Sequence, residues 1–147
     1  AVVFSAGFAE VPGGDGAAQQ QQLVAAARRH GMRMLGPNCL GLFNADIGWY
    51  PTFSSAFEGG WPLPGRVGVV TQSGAFGSHL VCLARARGLG TPKLVTTGNE
   101  ADIGVGEIIQ TYVDDPDIDV IVEFVDDATG AVLDTGSYRE MGENLGQ

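Results

Sequence analysis

The sequence predicts an α/β fold built on parallel sheets, and three features of it do so. Short β-branched runs alternate with helix-length amphipathic stretches, the pattern of strands joined by helical crossovers. Each run stops abruptly at a turn of small or polar residues: Ser5-Ala6-Gly7, Gly36-Pro37-Asn38-Cys39, Thr71-Gln72-Ser73-Gly74 and Thr97-Gly98-Asn99-Glu100-Ala101-Asp102. The 23 glycines gather at such turns without a fixed period, so they serve tight βα connections and not a low-complexity tract.

Taken in order, Ala1 to Ser5 reads as a short buried strand. The chain opens on it with no leading loop, which is the expectation for a segment of a longer polypeptide. Pro12-Gly13-Gly14-Asp15-Gly16 is a loop in which Asp15 is placed to cap a helix from about Ala17 to His30. Leu23, Ala26 and Ala27 share one face of that helix, and Gly31 closes it. Met32 to Leu35 is the next strand, and strand, helix, strand at this length predicts a right-handed parallel βαβ unit. Asn44 to Pro64 changes character: it carries Trp49, Tyr50, Phe53, Phe57 and Trp61 among glycines and prolines, with no periodicity. So long a stretch without pattern reads as a connection between two domains that packs its aromatics against both. A second α/β series starts at Arg66. Val67–Val70, Lys93–Thr96 and Val120–Val125 are its strands, Ala75–Arg87 and Gly104–Asp114 its helices, and Asp115-Pro116 stops the last helix. Beyond Asp126 the pattern fades into scattered glycines, expected to be a frayed end or the stub of a further element.

Composition narrows the chemistry. A formal charge of −9 with scattered basic residues excludes non-specific nucleic-acid binding, which needs a basic patch. Cys39 and Cys82 have neither zinc nor disulfide spacing, and no run approaches the ~18 apolar residues of a membrane helix. No metal site, no membrane contact and a cytoplasmic setting are therefore expected. The strongest candidate site is the turn Thr71 to Ala75. A helix begins there, and its first N–H groups lack internal partners while the helix dipole is positive. Ser73 adds a hydroxyl, and Gly74 offers no Cβ to block an approaching anion. His30, at a helix end, reads as a dipole partner, and His79, one turn inside the next helix, as an ordinary helix histidine. Cys39 has no histidine placed to activate it, so it reads as a packed wall of the site and not as a nucleophile.

Gly36-Pro37-Asn38-Cys39-Leu40-Gly41, Gly65 to Ala75, Gly98-Asn99-Glu100-Ala101-Asp102 and Asp115-Pro116 before a strand occur here in one order. From Val2 to about Phe124 the chain resembles the nucleoside-diphosphate-forming acyl-CoA synthetases, relatives of the α subunit of succinyl-CoA synthetase. The resemblance implies that residues 1–44 end a Rossmann-type CoA-binding domain, that 45–64 link, and that 65–147 belong to a flavodoxin-like ligase domain. It implies a CoA edge at Ser5, Ala6 and Gly7, and phosphate held by Ser73, Gly74 and Ala75. Asn38, Cys39, Asn99 and Glu100 would wall the same site. The family's phosphorylated histidine has no counterpart in these residues, and Asp126 stands where the family carries the glutamate that orients it.

The activity so implied makes acyl-CoA from a carboxylate, CoA and a nucleoside triphosphate through acyl phosphate and phosphohistidine. CoA and a nucleotide with Mg2+ would be its cofactors, a small carboxylate or acyl-CoA its substrate, and further domains or a β-type subunit its partners in an oligomer. Most of the nucleotide site would lie outside this chain, which alone would be inactive. An alternative is a non-catalytic ligand-binding module of the kind fused to acetyltransferases.

Overall fold

Successive residues of one buried run, Val69 and Val70, face opposite sides of a single four-stranded sheet, and a helix covers each side. The structure is a computed structural model and describes residues 1–124. Its strands are Gly41–Asn44 (β1), Val67–Thr71 (β2), Lys93–Thr96 (β3) and Val120–Phe124 (β4), in the order β1-β3-β2-β4. Its helices are Gly16–Arg29 (α1), Gly74–Ala86 (α2) and Val105–Val113 (α3). On one face Val69 packs with Phe43, Leu94 and Val81 of α2; on the other Val70 packs with Val95, Leu35 and Val105 and Tyr112 of α3. Each fully buried Val or Leu in these layers contributes ~1.5–3 kcal/mol of apolar burial. Central β2 is parallel to both β3 and β4, and the three finish level at Thr71, Thr96 and Phe124. The turns that leave β2 and β3 therefore share one edge, where doubly wound sheets present ligand sites.

The α/β class and all three helices match expectation, with ends shifted by a residue or so. Two features differ. The expected all-parallel sheet has an antiparallel edge, because β1, drawn from residues read as part of the first unit, runs antiparallel to β3. Four residues with alternating burial were too short a signal against the Gly-Pro-Asn-Cys turn just before them. The predicted strands 1–5 and 32–35 reduce to a single parallel bridge between Val2 and Leu35. Val3 N–H donates to Leu35 O at 3.0 Å and Leu35 N–H to Ala1 O at 2.9 Å. Asp15 does occupy the position before α1, but its side chain makes no capping bond. The aromatic stretch 45–64 forms two 3-10 turns, Ala45–Ile47 and Ser55–Gly59. Phe53 meets Phe4 edge-on at 5.4 Å, while Tyr50 and Phe57 pack on Phe43.

Candidate functional site

Three turns and one N-terminal loop meet at the level edge of the sheet. Leaving β2, the Thr71 hydroxyl donates to Ser73 O at 2.6 Å and bends the chain. Ser73 stays extended, and its Oγ accepts from Phe76 N–H at 3.4 Å, so α2 starts at Gly74. Among the described residues nothing accepts from the N–H groups of Gly74 and Ala75, the unpartnered first-turn donors of that helix. The turn after β3 is stitched alongside: Thr97 N–H donates to Thr71 O at 2.9 Å and Gly98 N–H to Gln72 O at 3.0 Å. Asn99 N–H then donates to Pro37 O at 2.9 Å, and Asn38 N–H to Ser5 O at 2.9 Å, which brings in the remaining two segments. Gly98 sits at φ +61°, and a Cβ there would strike the carbonyls of Pro37 and Asn38. Only glycine lets these turns approach so closely.

The result is a cleft of about 580 Å³ between Asn38, Gln72-Ser73-Gly74, Gly98-Asn99 and Ala9-Glu10. Its floor carries the open amides of α2. The lining also carries the Glu10 carboxylate, which accepts from the N–H groups of Gly7 and Phe8 and from Asn99 Nδ2. Desolvation pushes this carboxyl up, but the bonds from Asn99, Gly7 and Phe8 outweigh it and hold the group at about 2. The cleft thus combines open helix amides with a fixed carboxylate.

The predicted site residues divide. Ser73, Gly74, Asn38 and Asn99 line the cleft, and Ala75 follows on α2. Cys39 does not: it is 3% exposed, its thiol donates to Val3 O at 3.4 Å, and burial raises its pKa. Glu100, in a left-handed conformation, turns to the opposite task. It accepts from Thr97 Oγ1 at 2.7 Å and from Val105 N–H at 3.2 Å, capping α3. Ser5, Ala6 and Gly7 are exposed beside the cleft, with the Gly7 amide already bound to Glu10. His79 is exposed on α2 and does not line the cleft. Asp126 lies outside the described residues. Gly74 has a second reason to be glycine, since a Cβ there would collide with Leu40 Cβ; the absent side chain serves packing as well as access. Sequence reasoning missed Glu10 and Gln72. Gln72 stood inside a turn already singled out, whereas nothing in periodicity or spacing marks an acid in the loop after Gly7.

Fold and cleft together define a doubly wound α/β module with a cleft at the carboxyl edge of its parallel strands. Residues 64–131 match the succinyl-CoA ligase like flavodoxin domain. The ADP-forming acetate–CoA ligase I of Archaeoglobus fulgidus is 36% identical over 126 residues, 86% of this chain and 18% of that protein. The α subunit of ADP-forming acetate–CoA ligase II from Pyrococcus furiosus is 30% identical over 125 residues, 85% of this chain and 26% of that subunit. Among solved structures, the dinucleotide-forming acetyl-coenzyme A synthetase 1 of Ca. Korarchaeum cryptofilum in complex with phosphate and ADP superimposes with a TM-score of 0.77. It is 29% identical and covers 98% of this chain and 28% of its own. The chain is a partial region of the nucleoside-diphosphate-forming acyl-CoA synthetases.

Proposed function

We propose that the protein carrying this region makes acyl-CoA from a carboxylate, CoA and a nucleoside triphosphate, and that the cleft holds the phosphoryl group in transit. The observation that carries this reading is the pair of open amides at Gly74 and Ala75 that begin a 13-residue helix whose first residue, with Ser73 before it, lines the cleft. Such donors are fixed before the reaction, so they stabilise developing charge without reorganising. Ser73 and Gly74 form the floor, Asn38 and Asn99 the side, and the reacting histidine arrives from elsewhere in the parent protein. In this reading phosphate passes through acyl-phosphate and phosphohistidine stages, and Asp126 orients that histidine.

CoA supplies the accepting thiol; Ser5, Ala6 and Gly7 lie where its edge would pass, although the Gly7 amide is spent on Glu10. The nucleotide and its Mg2+ are assigned mostly to the parent protein beyond this chain; among the described residues no group of three His, Cys, Asp or Glu side chains clusters. Residues 1–44, 45–64 and 65–147 are assigned to a CoA-binding Rossmann-type domain, a connection and the ligase domain. A β-type subunit or fused equivalent completes the site, supported by the α-subunit relative. A cytoplasmic setting is supported by the free thiols of Cys39 and Cys82. No described helix is long and apolar enough to cross a membrane. A regulatory role in an acetyltransferase fusion is not favoured, because the relatives named above are ligases.

The test is a titration of the 15N-labelled chain with inorganic phosphate. The amide resonances of residues 73–75 are expected to shift together and to saturate. Resonances that stay in place at millimolar phosphate would remove the site.

A further inference from the structure

We infer that Glu10 is a positioning residue for the phosphate cleft, setting the polarity of a chain of side-chain amides that ends at Asn38. The inference rests on the phosphate reading above.

The chain of bonds is continuous. Glu10 Oε1 accepts from Gly7 and Phe8 N–H, and Oε2 from Phe8 N–H at 3.2 Å and from Asn99 Nδ2. The second Nδ2 proton of Asn99 goes to Gln20 Oε1 at 2.9 Å, and that oxygen also accepts from Ala9 N–H at 3.4 Å. With both donors taken, Asn99 has only its Oδ1 left, and this accepts from Asn38 Nδ2 at 3.2 Å. Asn38 sits at φ +55° on the cleft wall. Its second Nδ2 proton and its Oδ1 are not spent on any described residue, so on the exposed cleft wall they are open to a ligand as a donor and an acceptor.

An amide side chain turned by 180° keeps its shape but exchanges donor and acceptor. What prevents that exchange at Asn99 is a partner that can only accept. Glu10 is such a partner because three N–H groups converge on its two oxygens, and the group stays ionised down to a pKa of about 2. A glutamine at position 10 has one oxygen for the same donors. With that oxygen on Gly7 and Phe8, its NH2 meets Asn99 Nδ2 donor to donor. Asn99 must then turn, and Gln20 with it at the loss of the 3.4 Å bond from Ala9 N–H; the Asn99 NH2 then meets Asn38 Nδ2, and Asn38 turns in its place. The polarity Asn38 shows to the phosphate reverses although Asn38 itself has not been changed. Combining Glu10→Gln with Asn99→Asp restores the pattern. The new amide at position 10 and the NH2 of a turned Gln20 donate to one oxygen of the new carboxylate at position 99, and the other oxygen accepts from Asn38 as before. That double variant has the formal charge of the parent chain, so a recovery cannot be ascribed to net electrostatics.

The experiment measures inorganic phosphate affinity of the 147-residue chain and its E10Q, N99D and E10Q/N99D variants, together with the Asn38 side-chain NH2 resonances. E10Q and N99D are each expected to weaken phosphate binding about tenfold, roughly one polar contact turned from favourable to opposed. Both are expected to move the Asn38 resonances. The double variant should return to within about threefold of the parent and to the parent Asn38 shifts, the signature of a coupled pair. Additive losses in the double variant, or single variants that bind as the parent does, overturn the inference and leave the phosphate site standing. If the parent chain binds no phosphate, the phosphate reading falls, and the inference for a phosphate cleft falls with it; the Asn38 resonances then show whether the amide chain itself exists. If N99D does not fold, E10Q alone decides, because Glu10 is on an exposed loop: unchanged Asn38 resonances in E10Q overturn the inference.

Discussion

Gly98 and Gly74 carry different constraints, although both look like ordinary turn glycines. At Gly98 the backbone is left-handed and two carbonyls crowd the missing Cβ. Gly98→Ala should lower unfolding stability by ~1–3 kcal/mol, read as a lower urea midpoint at unchanged m. At Gly74 the backbone is helical, and the obstacle is Leu40 Cβ from the Gly-Pro-Asn-Cys turn. Gly74→Ala is therefore expected to cost ~1–3 kcal/mol through overpacking before any anion is considered. A loss of phosphate binding in that variant has to be corrected for stability. Thr91 offers the opposite case: it is 1% exposed, and among the described residues its Oγ1 has no hydrogen-bond partner. Thr91→Val keeps the shape and removes a desolvated hydroxyl, so thermal unfolding should move upward by the equivalent of ~1 kcal/mol. An unchanged or lower midpoint would show that the hydroxyl is satisfied.

The elements are held together by a few polar clamps, and Asp102 is the chief of them. Its side chain is 5% exposed and accepts from Met34 N–H at 2.8 Å, Arg33 Nε at 3.0 Å and Arg28 Nη2 at 3.1 Å. It thus ties the end of α1 and the segment after it to the turn before α3. The Met34 amide, with the two guanidinium groups opposing the effect of desolvation, brings the carboxyl down to about 2. Because the folded value is depressed, its stabilising contribution is complete above the unfolded carboxylate value of ~4 and disappears as pH falls through about 2. Asp102→Asn should cost ~1–3 kcal/mol at pH 7, with the gap to the parent chain closing between pH ~4 and pH ~2. A gap independent of pH would mean that packing, not charge, is what the substitution removed. Little of this was legible in the sequence. The strand ends and helices of the second series were, because β-branched runs bounded by Gly, Ser and Asn leave few alternatives. The Asp102 clamp joins residues separated by about 70 positions, and no local pattern encodes such a meeting. The same holds for Glu10, whose partner Asn99 lies on another turn, and for Cys39 and Glu100, whose side chains turn into the protein at turns that the sequence places correctly.

For the molecule as a whole, the site is an edge where four loops are laced by backbone bonds, not a feature of any one turn. The sequence showed which turns would meet there, since strands that run parallel must release their connections on one side. It did not show β1, whose four residues complete the sheet from the antiparallel direction and carry Phe43 into the core at 1% exposure. Beside that strand lies Lys93, the single lysine among 147 residues. Its ammonium sits 2.5 Å from Asp115 and 3.7 Å from Asp46, and the residue is 9% exposed. This chain therefore carries one side-chain amine, and folding hides it. An acylating reagent applied under native conditions should leave Lys93 intact over the time in which it fully modifies a solvent-exposed lysine. The mass increment at Lys93 then becomes a clock for global opening, with no engineered reporter. Addition of denaturant should make that site appear in step with loss of the near-ultraviolet signal of the Tyr50 and Trp61 cluster.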